Sequence, residues 1–225
     1  EKIFNEALLN IQDENLKESI QGFIDAYKEF GLTQSGKEEY REALIAQNLI
    51  KNEFYEPAIE LIYGIIKEEY NYIDAWIMLG YANLRLKNYF DAIEAFQTAL
   101  DIDPVKSESR YFLGLAYFGV EKYGDAISNI EIAIKNGYEP KSEALQQLAE
   151  IAILNEEFDK AADAYEQVLK YEKTNIETYI RPVWLYIEKL NNPDRAITIA
   201  LNAVEIAPEN ALSYSLLGWA LTAKE

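Results

Sequence analysis

Apolar residues recur along most of the chain with the spacing of an α-helix, and the apolar stretches come in pairs. Residues 73–106 show the pattern most clearly, with one apolar stripe that starts at Trp76 and a second that starts at Tyr89. A short polar break at Lys87 separates the two stripes, and Pro104 closes the unit. This pattern predicts two antiparallel helices of about three to four turns each.

The second stripe of each pair contains an alanine that returns after 34, 34, 35 and 35 residues. A period of this length is typical of helical arrays in which each unit packs only on its neighbours. Large and small residues at fixed positions allow paired helices to approach closely. We therefore predict an all-α fold in which these alanines lie between helices and not on a binding surface. They are Ala58, Ala92, Ala126, Ala161 and Ala196.

The two ends of the chain fit the repeat less well than its middle. Residues 1–38 are either a degenerate repeat or an N-terminal helical cap, and residues 211–225 are either an unpaired half repeat or a capping helix. The apolar character of the last segment favours a cut through a longer array, and a start at Glu1 agrees with a piece of a larger protein. Between these ends we place five repeats, at residues 39–72, 73–106, 107–141, 142–176 and 177–210.

The repeated unit resembles the tetratricopeptide repeat (TPR) family over about residues 39–225, or about five and a half repeats. The resemblance implies a right-handed superhelical α-solenoid of antiparallel helix pairs. In that family the first helices line a concave groove, which usually binds extended or helical peptides. The resemblance rests on Trp76, Leu79, Gly80, Ala92, Phe96, Ala99 and Pro104 in one unit, and on Leu113, Gly114, Tyr117, Ala126 and Ala133 in the next.

Candidate binding residues are those on the first helices that lie opposite the packing stripe. We expect Tyr81, Tyr111 and Leu115 to supply apolar contact with a partner, and the polar and charged members to set its register. Packing between successive first helices is the alternative for Tyr81 and Tyr111, and it is the favoured interpretation for Phe118. The full set is Gln47, Ile77, Tyr81, Arg85, Tyr111, Leu115, Phe118, Gln146, Glu150 and Arg181.

The chain is strongly acidic, with 39 acidic and 21 basic residues and a formal net charge of −18. Nucleic-acid binders draw most of their affinity from Lys and Arg, so this charge argues against a nucleic-acid partner. A protein or peptide that is partly apolar or basic fits better, although solubility alone also explains an acidic surface. No stretch is long and apolar enough for a membrane span.

The chain contains no cysteine and no histidine, which removes the commonest catalytic bases, nucleophiles and metal ligands. No phosphate-binding loop and no dense acidic loop for an oxygen-ligated ion occur in the sequence. We therefore expect a non-enzymatic interaction module without metal or cofactor. The compartment stays open, with the cytoplasm preferred.

Two alternative functions come from other classes of protein. One is an assembly scaffold that associates with itself, with a homodimer formed through the C-terminal edge. The other is a substrate-selecting arm of an enzyme whose catalytic domain is absent from this chain.

Overall fold

The computed structural model describes residues 21–22 and 38–225, and every regular element in these ranges is helical. The part of the sequence expected to form a degenerate repeat or a cap, residues 1–38, lies almost entirely outside the described residues. From residue 38 onward the elements are α1 Glu38–Lys51, α2 Tyr55–Glu68, α3 Ile73–Arg85, α4 Tyr89–Ile102, α5 Ser107–Gly119, α6 Tyr123–Lys135, α7 Lys141–Leu154, α8 Phe158–Tyr171, a 3-10 helix Ile176–Tyr179, α9 Ile180–Glu188, α10 Pro193–Ile206 and α11 Ala211–Thr222. The prediction of an all-α fold is confirmed.

The chain divides into two compact units, residues 1–120 and residues 121–225. In the first unit each of α1 to α4 packs on the helix that follows it, and α3 also contacts α1 and α5. In the second unit each of α6 to α10 packs on its successor, and α9 also contacts α11. Odd-numbered helices are the first helices of the predicted pairs and even-numbered helices are the second ones. Each unit is therefore a stack of helices in which contacts are local along the chain.

The recurrent alanines lie inside this packing, as predicted. All five have no exposed surface, and Ala92 shares a core cluster with Phe96, Leu113 and Ala116. A side chain of one carbon allows the backbone of its helix to come close to the next helix, and larger neighbours then fill the remaining space. In the second helix of each pair, the face that carries the alanine is consequently a packing face.

A residue in the left-handed backbone conformation follows each first helix, five positions before the alanine of the next helix. None of the five residues is glycine, and their φ values lie between 47° and 64°. After Lys87 and Glu156 the next backbone N–H donates to a carbonyl five residues back, from Asn88 to Asn83 at 2.9 Å and from Glu157 to Ala152 at 2.8 Å. Both bonds are of the Schellman type, which satisfies carbonyls at a helix end. The left-handed residues are Glu53, Lys87, Glu121, Glu156 and Asn191.

Proline and asparagine residues stand at the helix starts near the last repeat. Pro182 lies in the first turn of α9, where a missing N–H leaves no helical bond unmade, and the 3-10 helix precedes it. The Asn192 side chain caps α10 by accepting from the Arg195 backbone N–H at 3.1 Å. The Asn175 side chain caps the 3-10 helix by accepting from the Glu177 backbone N–H at 3.3 Å.

Two glycines at equivalent repeat positions provide a matched test of the packing. A Cβ on Gly80 would lie 2.6 Å from the buried Phe96 ring, whereas a Cβ on Gly218 would meet no atom of the described chain within 4 Å. We expect Gly80→Ala to destabilise the protein by about 1–3 kcal/mol through overpacking, despite the better helix propensity of alanine.

Gly218→Ala should instead raise stability by up to about 1 kcal/mol, because only the helix propensity changes. Urea unfolding followed by circular dichroism measures both effects. Midpoints that move in the same direction for the two variants would contradict the packing described here.

Candidate functional site

The ten predicted binding residues all lie on first helices, but they differ in exposure and they belong to both units. Seven lie on α1, α3 and α5 of the first unit, and Gln146, Glu150 and Arg181 lie on α7 and α9 of the second. Gln47, Arg85, Phe118 and Arg181 are exposed, whereas Ile77, Tyr81, Leu115, Gln146 and Glu150 are half-buried. We call Gln47, Ile77, Tyr81, Arg85, Leu115 and Phe118 the first-unit surface, and Gln146, Glu150 and Arg181 the second-unit surface.

Tyr111 and Phe118 depart from what the sequence led us to expect. Tyr111 is 1% exposed and its ring lies edge-on to Phe112 at 5.3 Å, so packing is its role and it is not a partner anchor. It lies one helical turn before Gly114, on the buried side of α5. Phe118, for which packing was favoured, is 37% exposed near the end of α5. The accessible aromatic on α5 is therefore Phe118.

Arg85 is the centre of the polar contacts on the first-unit surface. Its guanidinium lies 5.5 Å from the Tyr55 ring centroid and 5.9 Å from that of Tyr81. Nη1 donates to the Tyr81 hydroxyl at 3.1 Å, and Nη2 donates to the Glu53 carboxylate at 3.3 Å. The hydrogen bond to Tyr81 raises the pKa of Arg85, and the charge lies close to both tyrosine rings.

Tyr81 packs between successive first helices, which is one of the two roles that the sequence left open. Its ring packs edge-on against Phe112 of the next first helix, with ring centroids 5.3 Å apart. Its hydroxyl accepts from Arg85 at the same time. Tyr81 thus connects two first helices of this unit and positions the Arg85 guanidinium.

The second-unit surface is a network of charged and hydrogen-bonded groups. The Glu150 carboxylate accepts from Arg181 through Nε at 2.9 Å and through Nη2, and it accepts from the Tyr165 hydroxyl at 2.5 Å. Burial, followed by the bond to Glu150, raises the pKa of Tyr165, which keeps this hydroxyl a donor. Gln146 donates to Glu172 at 3.0 Å. The members of this surface are thus polar or charged, and all three hydrogen-bond to other side chains.

The predicted set does not include the side chains from turns and second helices that contact its members. Glu53 lies in a turn, and Tyr55, Tyr165 and Glu172 lie on or next to second helices. A signal was available, because an acidic residue precedes its basic partner by 29–32 residues, or slightly less than one repeat. The pairs are Glu53–Arg85, Asp74–Lys106, Glu131–Lys160, Glu150–Arg181, Glu166–Arg195 and Asp194–Lys224.

A cleft of about 400 Å³ lies between α8 and α10 in the second unit, on helices that the sequence analysis did not consider for binding. Within it Glu166 accepts from Arg195 through Nε at 2.9 Å and through Nη2, and from the Tyr186 hydroxyl at 2.6 Å. Arg195 holds the pKa of Glu166 below its usual value, while burial and Glu166 raise the pKa of Tyr186 to about 12. The lining also includes Leu169, Lys170, Lys173, Tyr179, Thr198, Ile199, Asn202, Glu205 and Ile206.

Two other kinds of site were sought in the part of the chain that the structure describes. Its residues include no group of three or more Asp or Glu side chains placed to hold a metal ion. Its helices include none that is long and apolar enough to cross a membrane.

Comparison with known proteins identifies the repeats in the middle of the chain. Two tetratricopeptide repeat family models match, one over residues 73–104 and the other over residues 111–174. These two segments are TPR repeats. The matched residues include the best repeat of the sequence analysis and much of the two that follow it.

Curated relatives of this chain are distant and much longer. The peroxisomal targeting signal receptor of Komagataella phaffii is 22% identical over 166 residues, which cover 69% of this chain and 28% of the receptor. The BBSome complex member BBS4 of Bos taurus is 29% identical over 101 residues, which cover 44% of this chain and 19% of that protein. The chain thus spans less than a third of the length of either relative.

Solved structures show the same fold at low sequence identity. A crystal structure of MamA is 23% identical with a TM-score of 0.66, and the match covers 77% of this chain and 93% of MamA. YrrB, described as a TPR protein with an unusual peptide-binding site, is 18% identical with a TM-score of 0.63 and covers 86% and 96%. The predicted TPR-like solenoid class is confirmed, and together these findings support a protein-interaction module.

The Glu166 network makes a prediction about acid stability. Because the folded pKa of Glu166 lies below its unfolded value of about 4.3, its stabilising effect is present above that pH and is lost as the pH falls through the folded pKa. We expect Glu166→Gln to be less stable than wild type by about 0.5–1 kcal/mol at pH 7, since the pair is partly exposed.

The difference should shrink as the pH falls below about 4. Urea midpoints measured from pH 7 to pH 3 give the comparison. Glu205→Gln is the control, because this exposed carboxylate of the same cleft has no ion pair among the described residues. A difference between Glu166→Gln and wild type that stays constant over this range would contradict the assignment.

Proposed function

We propose that this chain binds a peptide or a partner segment on its first-helix faces, with the first-unit surface as the main contact. The observation that carries the proposal is the exposed aromatic Phe118 on the same set of helices as the ordered Arg85. Aromatic and arginine side chains contribute most to binding energy at protein interfaces. The concave groove that the family resemblance implies would contain this surface.

Phe118 is the exposed apolar side chain of the first-unit surface, and Ile77 and Leu115 are its half-buried apolar members. A half-buried side chain gives up little conformational entropy when a ligand covers it, because its neighbours already restrict its rotamers. Partly apolar peptides are therefore the chemistry that this surface favours.

Arg85 supplies the directional contact. Its guanidinium has five N–H groups, of which two are used by Tyr81 and Glu53, and 45% of its side chain is exposed. The remaining N–H groups can donate to the backbone carbonyls of a bound peptide. The acidic net charge of −18 would meanwhile favour a peptide with basic residues next to its apolar ones.

The relatives support a peptide ligand through what their names state. One is called a targeting signal receptor, and the YrrB structure is described as having a peptide-binding site. For this chain we propose only a class of ligand, which is a short, partly apolar or basic segment of another protein. A catalytic role, a cofactor and a nucleic-acid partner form no part of it.

The two alternative functions, self-association and a substrate-selecting arm, remain predictions. Self-association through the C-terminal edge has in its favour the exposed apolar residues of α11, among them Trp219. A substrate-selecting arm would use the same first-helix faces, so it differs from the main proposal only in what the rest of the polypeptide does.

Selection of peptides from a random display library on the immobilised chain supplies the probe for a test. Enriched peptides should combine apolar and basic residues, and their affinity is then measured by fluorescence anisotropy. We expect Phe118→Ala to weaken binding about tenfold, and Arg85→Gln to weaken it as well. Tyr111 is unsuitable for this test because its replacement would empty a buried site.

Phe90→Ala is the matched control, because Phe90 belongs to the same unit and is 75% exposed but lies on a second helix. It should leave affinity unchanged. Weaker binding after Phe90→Ala together with normal binding after Phe118→Ala would place the ligand on the second helices and refute the proposal.

A further inference from the structure

Two lysines line the cleft between α8 and α10 and have no acidic partner. Lys170 lies in the last turn of α8, Lys173 lies in the turn that follows this helix, and both side chains are exposed. In the part of the chain that the structure describes, neither side chain forms an ion pair or a hydrogen bond. Of the two carboxylates in the lining, Glu166 is bound by Arg195, and Glu205 lies beyond ion-pair distance of both lysines. The two ammonium groups are therefore available to another anion.

The second of these lysines is specific to its repeat. Lys170 and Lys173 lie nine and twelve positions after the recurrent Ala161. The other four repeats have tyrosine or proline at the position of Lys173, so the packing of the repeats does not require a cation there. The helix dipole favours a cation in the last turn of α8 and explains Lys170, but Lys173 lies beyond the end of that helix. The equivalent pairs are Lys67/Tyr70, Asp101/Pro104, Lys135/Tyr138 and Glu205/Pro208.

Hydrogen bonds connect both sides of the cleft to the rest of the unit. The Tyr179 hydroxyl donates to the Lys173 backbone carbonyl at 3.2 Å, in the turn after α8. Arg195 of α10 donates to Glu166 of α8 through Nε at 2.9 Å, which joins the two helices. The Tyr186 hydroxyl donates to the same carboxylate at 2.6 Å. Because these groups are already hydrogen-bonded, a ligand binds without the entropic cost of ordering them.

The remaining lining of the cleft suits a peptide. Ile199 is buried and Ile206 is exposed, so the cleft offers apolar surface, and the Asn202 side chain has no hydrogen-bond partner among the described residues. The lining residues of α10 extend from Arg195 to Ile206, about 16 Å along the helix axis. An extended chain covers this length with about five residues. The cleft is open to solvent, and its volume of about 400 Å³ accommodates side chains of such a segment.

We infer that this cleft is a second binding site, which takes a short, extended segment of a partner protein with acidic and apolar side chains. Carboxylates of the segment bind Lys170 and Lys173. An apolar side chain packs on Ile199 and Ile206, and the Asn202 amide pairs with the backbone of the segment. Both repeats that border the cleft are complete, so another repeat packed on α11 would leave it open. Since TPR repeats form protein-interaction modules, the segment is assigned to a partner protein.

The net charge of −18 does not prevent this interaction. Charges are screened over about 8 Å at physiological ionic strength, so lysines in direct contact with a carboxylate outweigh acidic groups farther away. The site uses none of the first-unit surface and favours a ligand of opposite charge. It therefore stands independently of the proposed function, and the two sites would take different partner segments.

A pool of capped seven-residue peptides supplies the probe, each with two glutamates and two leucines in varied order among serines. The tightest member should bind the full chain with a Kd below about 1 mM in fluorescence anisotropy at physiological salt. The same peptide with glutamine in place of glutamate should bind about tenfold more weakly, because only the carboxylates pair with the lysines.

Variants of the chain locate the site. Lys170→Gln should raise the Kd of the probe about threefold, and Lys170→Gln with Lys173→Gln should raise it about tenfold, as expected for two partly exposed ion pairs. Lys135→Gln is the matched control, because Lys135 is exposed at the same repeat position as Lys170 but lies on α6, outside the cleft. It should leave the Kd unchanged, and so should Arg85→Gln on the first-unit surface. Unchanged circular dichroism and urea midpoints verify that these substitutions leave the fold intact.

Three results would overturn the inference. One is an absence of binding up to a probe concentration of about 1 mM, or equal affinity for the glutamine peptide. Another is a loss of affinity that Lys135→Gln shares with Lys170→Gln, which would mean that net charge and not the cleft attracts the probe. The third is equal affinity for the probe and for free glutarate, which would assign the lysines to small anions rather than to a peptide. None of these results bears on the first-unit surface, whose test uses other peptides and Phe118→Ala.

Discussion

The close contact that each buried alanine allows between neighbouring helices is the constraint on which the rest of this structure depends. Each alanine has no exposed surface, and the helix axes can approach to about 8–10 Å where such small side chains meet. This contact determines which face of every second helix is internal. It also leaves the outer faces of the first helices, where Arg85 and Phe118 lie, available to other molecules. The surface that we propose for binding is thus a consequence of the packing.

Two further structural features help to maintain this spacing between neighbouring helices. A left-handed residue such as Lys87 ends each first helix, and this conformation costs a non-glycine residue about 1–2 kcal/mol, so the surrounding packing and the helix-end hydrogen bonds must hold it. Acid–base pairs such as Glu150–Arg181 then connect consecutive repeats. Each exposed pair contributes little energy, but an unvarying order of acid before base favours one register of neighbouring repeats over others.

The sequence was sufficient for the class of fold and for the packing role of the alanines, because small residues at a fixed helical period are typical of close contact between stacked helices. It was insufficient for exposure within one helix face: Tyr111 and Phe118 lie on the same predicted face, yet one is buried and the other is not. Burial there depends on which neighbouring helix is within reach, and helical spacing does not contain that information. The left-handed turns also escaped notice, since Glu53 and Glu121 are not residues that normally indicate such a turn.

We propose that the two kinds of helix have different roles, with second helices for packing and first helices for binding. Chemical-shift mapping of the isotope-labelled chain with a peptide selected on it tests this division most directly. We expect perturbations at Gln47, Tyr81, Arg85 and Phe118, with little change around Phe90 on α4. Perturbations concentrated on second helices, with the first-unit surface unaffected, would contradict it.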